Sequence, residues 1–143
     1  MYANVNWKGG MEFTGAAQSG YRVDLSSSAA VGGSEQGFRP KELLGVSLAG
    51  CTAMDVISIL KKKRQNVSGF EVRIHPIDSD SHPHVWTHVH IEYLISGEDI
   101  DPAAVERAIE LSTTKYCPVQ AMLKPSVEIE TSYKIEQAHI TAV

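Results

Sequence analysis

The sequence predicts a single α+β domain over residues 1–143, in the order β-β-β-α-β-β-α-α-β. Three observations carry that expectation. Short alternating apolar segments flank Gly9-Gly10 near the start. An apolar run over residues 43–60 follows Pro40, and alternating segments return from Phe70 onward. A chain of 143 residues fits one domain, and its 43% apolar and 21% charged content is ordinary for a folded protein.

Residues 2–7 and 11–14 alternate around the two glycines and predict a strand, a tight turn and a second strand. Tyr21, Val23 and Leu25 alternate with Arg22 and Asp24, which predicts a third. Residues 26–37 are rich in Ser, Ala and Gly and predict a loop. Pro40 is placed as the first residue of a long helix, because its missing N–H has no partner there in any case. The helix is expected to reach Arg64, ending in Lys61-Lys62-Lys63-Arg64, where positive charge complements the helix dipole. Residues 43–60 are apolar nearly all round, so the helix is expected to be buried on most sides. A chain of this size can hardly wrap such a helix alone, which points to a second subunit.

Phe70, Val72 and Ile74 form one alternating set, and Val85, Val89, Ile91, Tyr93 and Ile95 form another. They predict two strands joined by the polar loop Asp78-Ser79-Asp80-Ser81. Asp101-Pro102 is a helix start, with aspartate as cap and proline at the first position, for a helix over residues 102–114. Cys117-Pro118 starts a short helix to Leu123, and Val127, Ile129 and Tyr133 predict a closing strand.

The net charge of −4 offers no overall attraction for nucleic acid or an anionic membrane, so neither is expected as a partner. The N-terminus lacks a basic stretch followed by an apolar one, so no secretory signal is expected and a cytoplasmic location is. Asp55, Ser47, Ser58, Gly45 and Gly50 interrupt the apolar run, which favours a core helix over a membrane span. No phosphate-cradling glycine loop, nucleophile elbow or dinucleotide fingerprint is present, and no cofactor is expected. His82, His84, His88 and His90 cluster, and His88 and His90 share a strand face. Without HExxH or CxxC, His84, His88 and His90 read as a solvated strand face rather than a metal site.

The chemistry concentrates on two cysteines. Cys51 lies mid-helix in Leu48-Ala49-Gly50-Cys51-Thr52-Ala53-Met54, and Cys117 stands at a helix N-cap. In a reducing compartment such thiols are free, redox-active or metal-bound rather than a structural staple. Backbone N–H groups and the dipole favour a thiolate at an N-cap, so residue physics alone makes Cys117 the thiol expected to be more acidic. A reversible disulfide requires Cα atoms within about 7 Å.

The run Arg39-Pro40-Lys41-Glu42-Leu43-Leu44-Gly45-Val46-Ser47-Leu48-Ala49-Gly50-Cys51-Thr52-Ala53-Met54-Asp55-Val56 resembles the P-x-E-L-(apolar)-G-x-C pattern opening the central helix of the osmotically inducible protein C / organic hydroperoxide resistance (OsmC/Ohr) superfamily. Lys115-Tyr116-Cys117-Pro118-Val119 resembles its second motif, K-x-C-P-V. The YhfA-like branch is the most similar. The resemblance implies an intertwined homodimer, with two sheets enclosing paired central helices. It also implies thiol peroxidase chemistry on organic hydroperoxides, with Cys51 as the attacking thiol, Cys117 resolving it as a disulfide, and an external dithiol restoring both.

Peroxidase members also use an arginine in the N-terminal half, and the organic hydroperoxide resistance branch places a glutamate directly after the motif proline. Here no arginine lies around Val31, and Arg39 and Arg22 substitute by type. Lys41 follows the proline, and Glu42 comes one residue later, where the OsmC branch also has a glutamate. The candidate site is therefore Cys51, Cys117, Glu42 and Arg39. The competing expectation is a non-catalytic protein that holds a small apolar or thiol-bearing ligand in a cavity at the dimer interface.

Overall fold

The computed structural model describes residues 1–137. The chain divides into two compact units, Met1–Gly45 and Val46–Val143. In the first, β1 (Ala3–Gly9), β2 (Glu12–Ala17) and β3 (Arg22–Ser26) form an antiparallel sheet in sequence order. Trp7 stands opposite Phe13, Phe13 opposite Leu25, and Gly15 opposite both Val5 and Val23, so these side chains share one apolar face. Gly9 and Gly10 take φ of 111° and 54°, which a side chain would resist, and the Trp7 indole N–H donates to the Gly10 carbonyl at 2.9 Å. In the expected loop, Ala29–Val31 makes one 3-10 turn.

Helix α1 (Pro40–Lys62) starts at the expected proline. It ends two residues before Arg64, which takes φ of 56°. The Arg64 N–H bonds to the Lys61 carbonyl and the Gln65 N–H to the Leu60 carbonyl. These are the paired bonds of a left-handed C-terminal cap, with arginine where glycine is usual. The expectation that α1 is buried on most sides is corrected in the single chain. Its buried residues are Leu48, Thr52, Val56 and Leu60, one stripe at every fourth position, while Leu44 and Val46 are exposed and Met54 is 73% exposed. By length and composition α1 could cross a bilayer. Its buried stripe instead belongs to a protein core and carries a hydrogen-bonded threonine.

In the second unit, β4 (Asn66–Asp78) pairs antiparallel with β5 (Trp86–Glu98), and β5 pairs parallel with β6 (Glu128–Gln137). Val89, Ile91, Tyr93 and Ile95 on the central strand β5 are all buried. They join Leu48, Val56 and Leu60 of α1 and Val105, Ala108 and Ile109 of α2 (Pro102–Leu111) in one core. Asp101 caps α2 as expected, its carboxylate accepting the Ala103 N–H at 3.0 Å. The α-helix does not continue to residue 114. Ser112–Tyr116 widens into a π turn, closed by the Cys117 N–H on the Ser112 carbonyl at 3.0 Å. The Thr114 hydroxyl bonds to the Glu110 carbonyl, and the Lys124 ammonium bonds to the Thr113 carbonyl. Helix α3 (Pro118–Leu123) follows, with Cys117 as its N-cap.

Candidate functional site

Cys51 sits mid-way along α1, with Leu48 and Met54 three residues to either side on its face of the helix, and is partly buried. Cys117 is delivered by the π turn and is only 3% exposed. Both thiols are free, and their sulfurs lie 3.0 Å apart, with the Cys117 S–H donating to Cys51. A bonded pair would stand at about 2.05 Å, so closing a disulfide needs about 1 Å of approach.

The cap geometry expected at Cys117 is present, since its sulfur accepts the Gln120 N–H at 3.4 Å. The acidity expected from it is not. Burial first, and then its donation to Cys51, together push the Cys117 thiol up to about 11. The Gln120 and Val119 backbone N–H groups do not offset the loss of water around a thiolate. Cys117 is therefore held as the protonated thiol, with its S–H directed at the Cys51 sulfur.

A buried chain of hydroxyls lies beside the cysteines. Thr52 Oγ1 is 2.7 Å from the Tyr93 hydroxyl and 2.8 Å from Ser112 Oγ, and the Ser112 hydroxyl donates to Asp55 Oδ2 at 2.9 Å. Thr52 and Ser112 are fully buried, and burial raises the Tyr93 phenol above its ordinary value. Gln120 is also fully buried, and its side chain faces the Tyr93 hydroxyl. Sequence reasoning missed this set, although a threonine and an aspartate three residues apart inside an apolar run were a usable signal.

Arg39 and Glu42 pair with each other at the start of α1. The Arg39 N–H donates to Glu42 Oε2 at 3.0 Å, a return bond that caps the helix start. The Arg39 guanidinium reaches Glu42 at 3.3 Å and Glu35 at 3.4 Å. The four predicted site residues thus form two pairs, Arg39 with Glu42 and Cys51 with Cys117. The histidines meet in pairs, with the His82 and His84 rings 4.2 Å apart and the His75 and His90 rings 5.8 Å apart, while His88 meets Glu128 at 3.1 Å and His90 meets Ser132 at 2.7 Å. His84 contacts the Ser79 carbonyl at 2.9 Å. Among the described residues no three His, Cys, Asp or Glu side chains are grouped to hold a metal.

A family model described as OsmC-like protein matches residues 32–132, which include both cysteines and the π turn between α2 and α3. The chain belongs to the OsmC-like family. Protein YhfA of Escherichia coli K12 is 35% identical over 138 residues, covering 96% of this chain and all of the relative. Among solved structures, a hypothetical protein from Aquifex aeolicus VF5 is 30% identical with a TM-score of 0.84, covering 96% of this chain and 97% of that one. An organic hydroperoxide resistance protein OsmC from Legionella pneumophila is 15% identical with a TM-score of 0.70, covering 93% and 95%. That last likeness is one of fold. The expected OsmC/Ohr fold is thereby met.

Proposed function

We propose that this chain is a cytoplasmic two-cysteine thiol peroxidase acting on organic hydroperoxides, in defence against oxidative stress. The observation that carries this reading is the Cys51–Cys117 contact at 3.0 Å, with the donor on Cys117. The Cys51 thiolate attacks the terminal oxygen of R–O–O–H. The O–O bond breaks, Cys51 becomes a sulfenic acid, and the departing alkoxide takes a proton to leave as R–OH. The Cys117 sulfur then attacks the Cys51 sulfur, the S–O bond breaks, and one water leaves as the disulfide forms. An external dithiol reduces the disulfide to two thiols and is itself oxidised. A resolving thiol already against the attacking one converts a two-molecule step into an internal one. Leu48 and Met54, on the Cys51 face of α1, suit an alkyl group better than hydrogen peroxide alone. Arg39 and Glu42 are proposed as the charged pair serving this reaction.

The active form is proposed to be a homodimer. Met54 and Val46 on α1, and Trp7 on the apolar face of the first sheet (68% exposed), are large apolar groups that a second copy would cover. The decisive assay follows consumption of an alkyl hydroperoxide with a dithiol reductant. Wild type turns over and Cys51→Ser does not; equal rates would remove Cys51 from the chemistry.

A second reading is a non-catalytic binding protein, favoured by the engagement of Arg39 with two carboxylates rather than an open position. Unchanged thiols after mild alkyl hydroperoxide would support it over peroxidase chemistry.

A further inference from the structure

We infer that Thr52 is a positioning residue, whose hydroxyl locks the turn of α1 carrying Cys51 to the π turn carrying Cys117. Each hydroxyl has one hydrogen to donate. That of Ser112 is committed to Asp55, so Thr52 donates to Ser112. The Thr52 hydrogen is then in use, so Tyr93 donates to Thr52. The chain has one polarity, from Tyr93 through Thr52 and Ser112 to the Asp55 carboxylate. It ties β5 to α1 and α1 to the π turn.

Ser112 also holds Cys117 directly, since its carbonyl accepts the Cys117 N–H at 3.0 Å. Thr52 is the residue after Cys51. The Ser112 hydroxyl therefore ties the π turn to α1 twice, through Thr52 beside Cys51 and through Asp55 one turn on. The π turn replaces the regular i→i+4 bonds of α2 by a wider ring, closed by the Cys117 N–H on the Ser112 carbonyl. Fixing it by side-chain hydroxyls in a buried setting sets the distance that disulfide closure requires. This deepens the proposed thiol chemistry, and its test does not depend on peroxide turnover.

The test equilibrates the protein with oxidised and reduced glutathione and measures the Cys51–Cys117 disulfide by alkylation and mass spectrometry. Two thiols lose their hydrogens as one oxidised glutathione becomes two reduced ones. Thr52→Val, which keeps the shape but removes the hydroxyl joining Tyr93 to Ser112, should lower the equilibrium constant about tenfold. Thr52→Ser, which restores the hydroxyl, should stay within about twofold. Equal constants for Thr52→Val and wild type would overturn the inference. Equal losses in Thr52→Val and Thr52→Ser would do the same, since shape rather than the hydroxyl would then matter. If Thr52→Val does not fold, Thr52→Ala decides: a loss that Thr52→Ser does not show supports the lock, and no loss overturns it. A wild type that forms the disulfide in a Thr52-dependent way but consumes no hydroperoxide would end the peroxidase reading and leave this inference standing.

Discussion

The Cys117 thiol donates its hydrogen to the Cys51 sulfur across 3.0 Å. The buried partner is thereby the proton holder and the more accessible one the acceptor. Burial and the donation to Cys51 lift Cys117 from the thiol's ordinary 9.0 to about 11. Between those values the folded chain keeps a proton that the unfolded chain has released. Stability of the reduced protein should therefore fall as pH rises from about 9 towards about 11, and Cys117 should contribute no pH dependence at neutrality. Denaturant midpoints across that range check the sign. Cys117→Ser should remove the component, and an unchanged slope in that variant would assign it to other groups.

Removing the resolving thiol should separate the two chemical steps. Cys117→Ser should react once with an alkyl hydroperoxide and stop, leaving Cys51 as a sulfenic acid that a carbon-nucleophile probe captures. Wild type should give little captured product, because the neighbouring thiol reaches the intermediate first. Equal capture in both proteins would show that Cys117 does not resolve Cys51.

Much of the architecture was legible in the sequence, because it rests on local rules. Pro40, Pro102 and Pro118 each open a helix, as their fixed φ and missing donor favour. The alternating sets on β4 and β5 mark the strands, although both strands run past them at the C-terminal end and exposed Val85 lies outside β5, which begins at buried Trp86. The helix end at Arg64 was placed two residues late, since a non-glycine left-handed cap leaves no compositional mark. The acidity of Cys117 was misjudged because its burial depends on tertiary packing rather than on its cap position. The hydroxyl chain was invisible for the same reason. Thr52 meets Tyr93 and Ser112 across separations of 41 and 60 residues. Only the polar pair Thr52 and Asp55 inside an apolar helix hinted at it.

Glu42 has two candidate duties, capping α1 and holding the Arg39 guanidinium. Glu42→Gln retains an oxygen that can accept the Arg39 N–H but loses the charge. Its thermal stability should change by less than about 1 kcal/mol, since the ion pair is exposed. Hydroperoxide turnover should fall about tenfold or more if the charged pair serves the reaction, as proposed, a change equivalent to about 1.4 kcal/mol. Unchanged turnover would assign Arg39 and Glu42 to the helix start alone.

Exposed Met54 and Trp7 predict an obligate dimer with a large apolar interface. Sedimentation equilibrium should show dimer at all concentrations where the chain is folded. Trp7→Glu should shift the population towards unfolded or aggregated chain. A folded monomer persisting at about micromolar concentration would contradict the intertwined arrangement.

The most direct measurement of the central claim counts thiols after mixing reduced protein with one equivalent of an alkyl hydroperoxide. The account predicts rapid loss of both thiols of each chain. The protein should become lighter by two hydrogens, with no crosslink between chains, and a peptide should carry Cys51 joined to Cys117. A dithiol should restore both thiols. Two thiols still titrating after exposure, or a disulfide joining different chains, would contradict it.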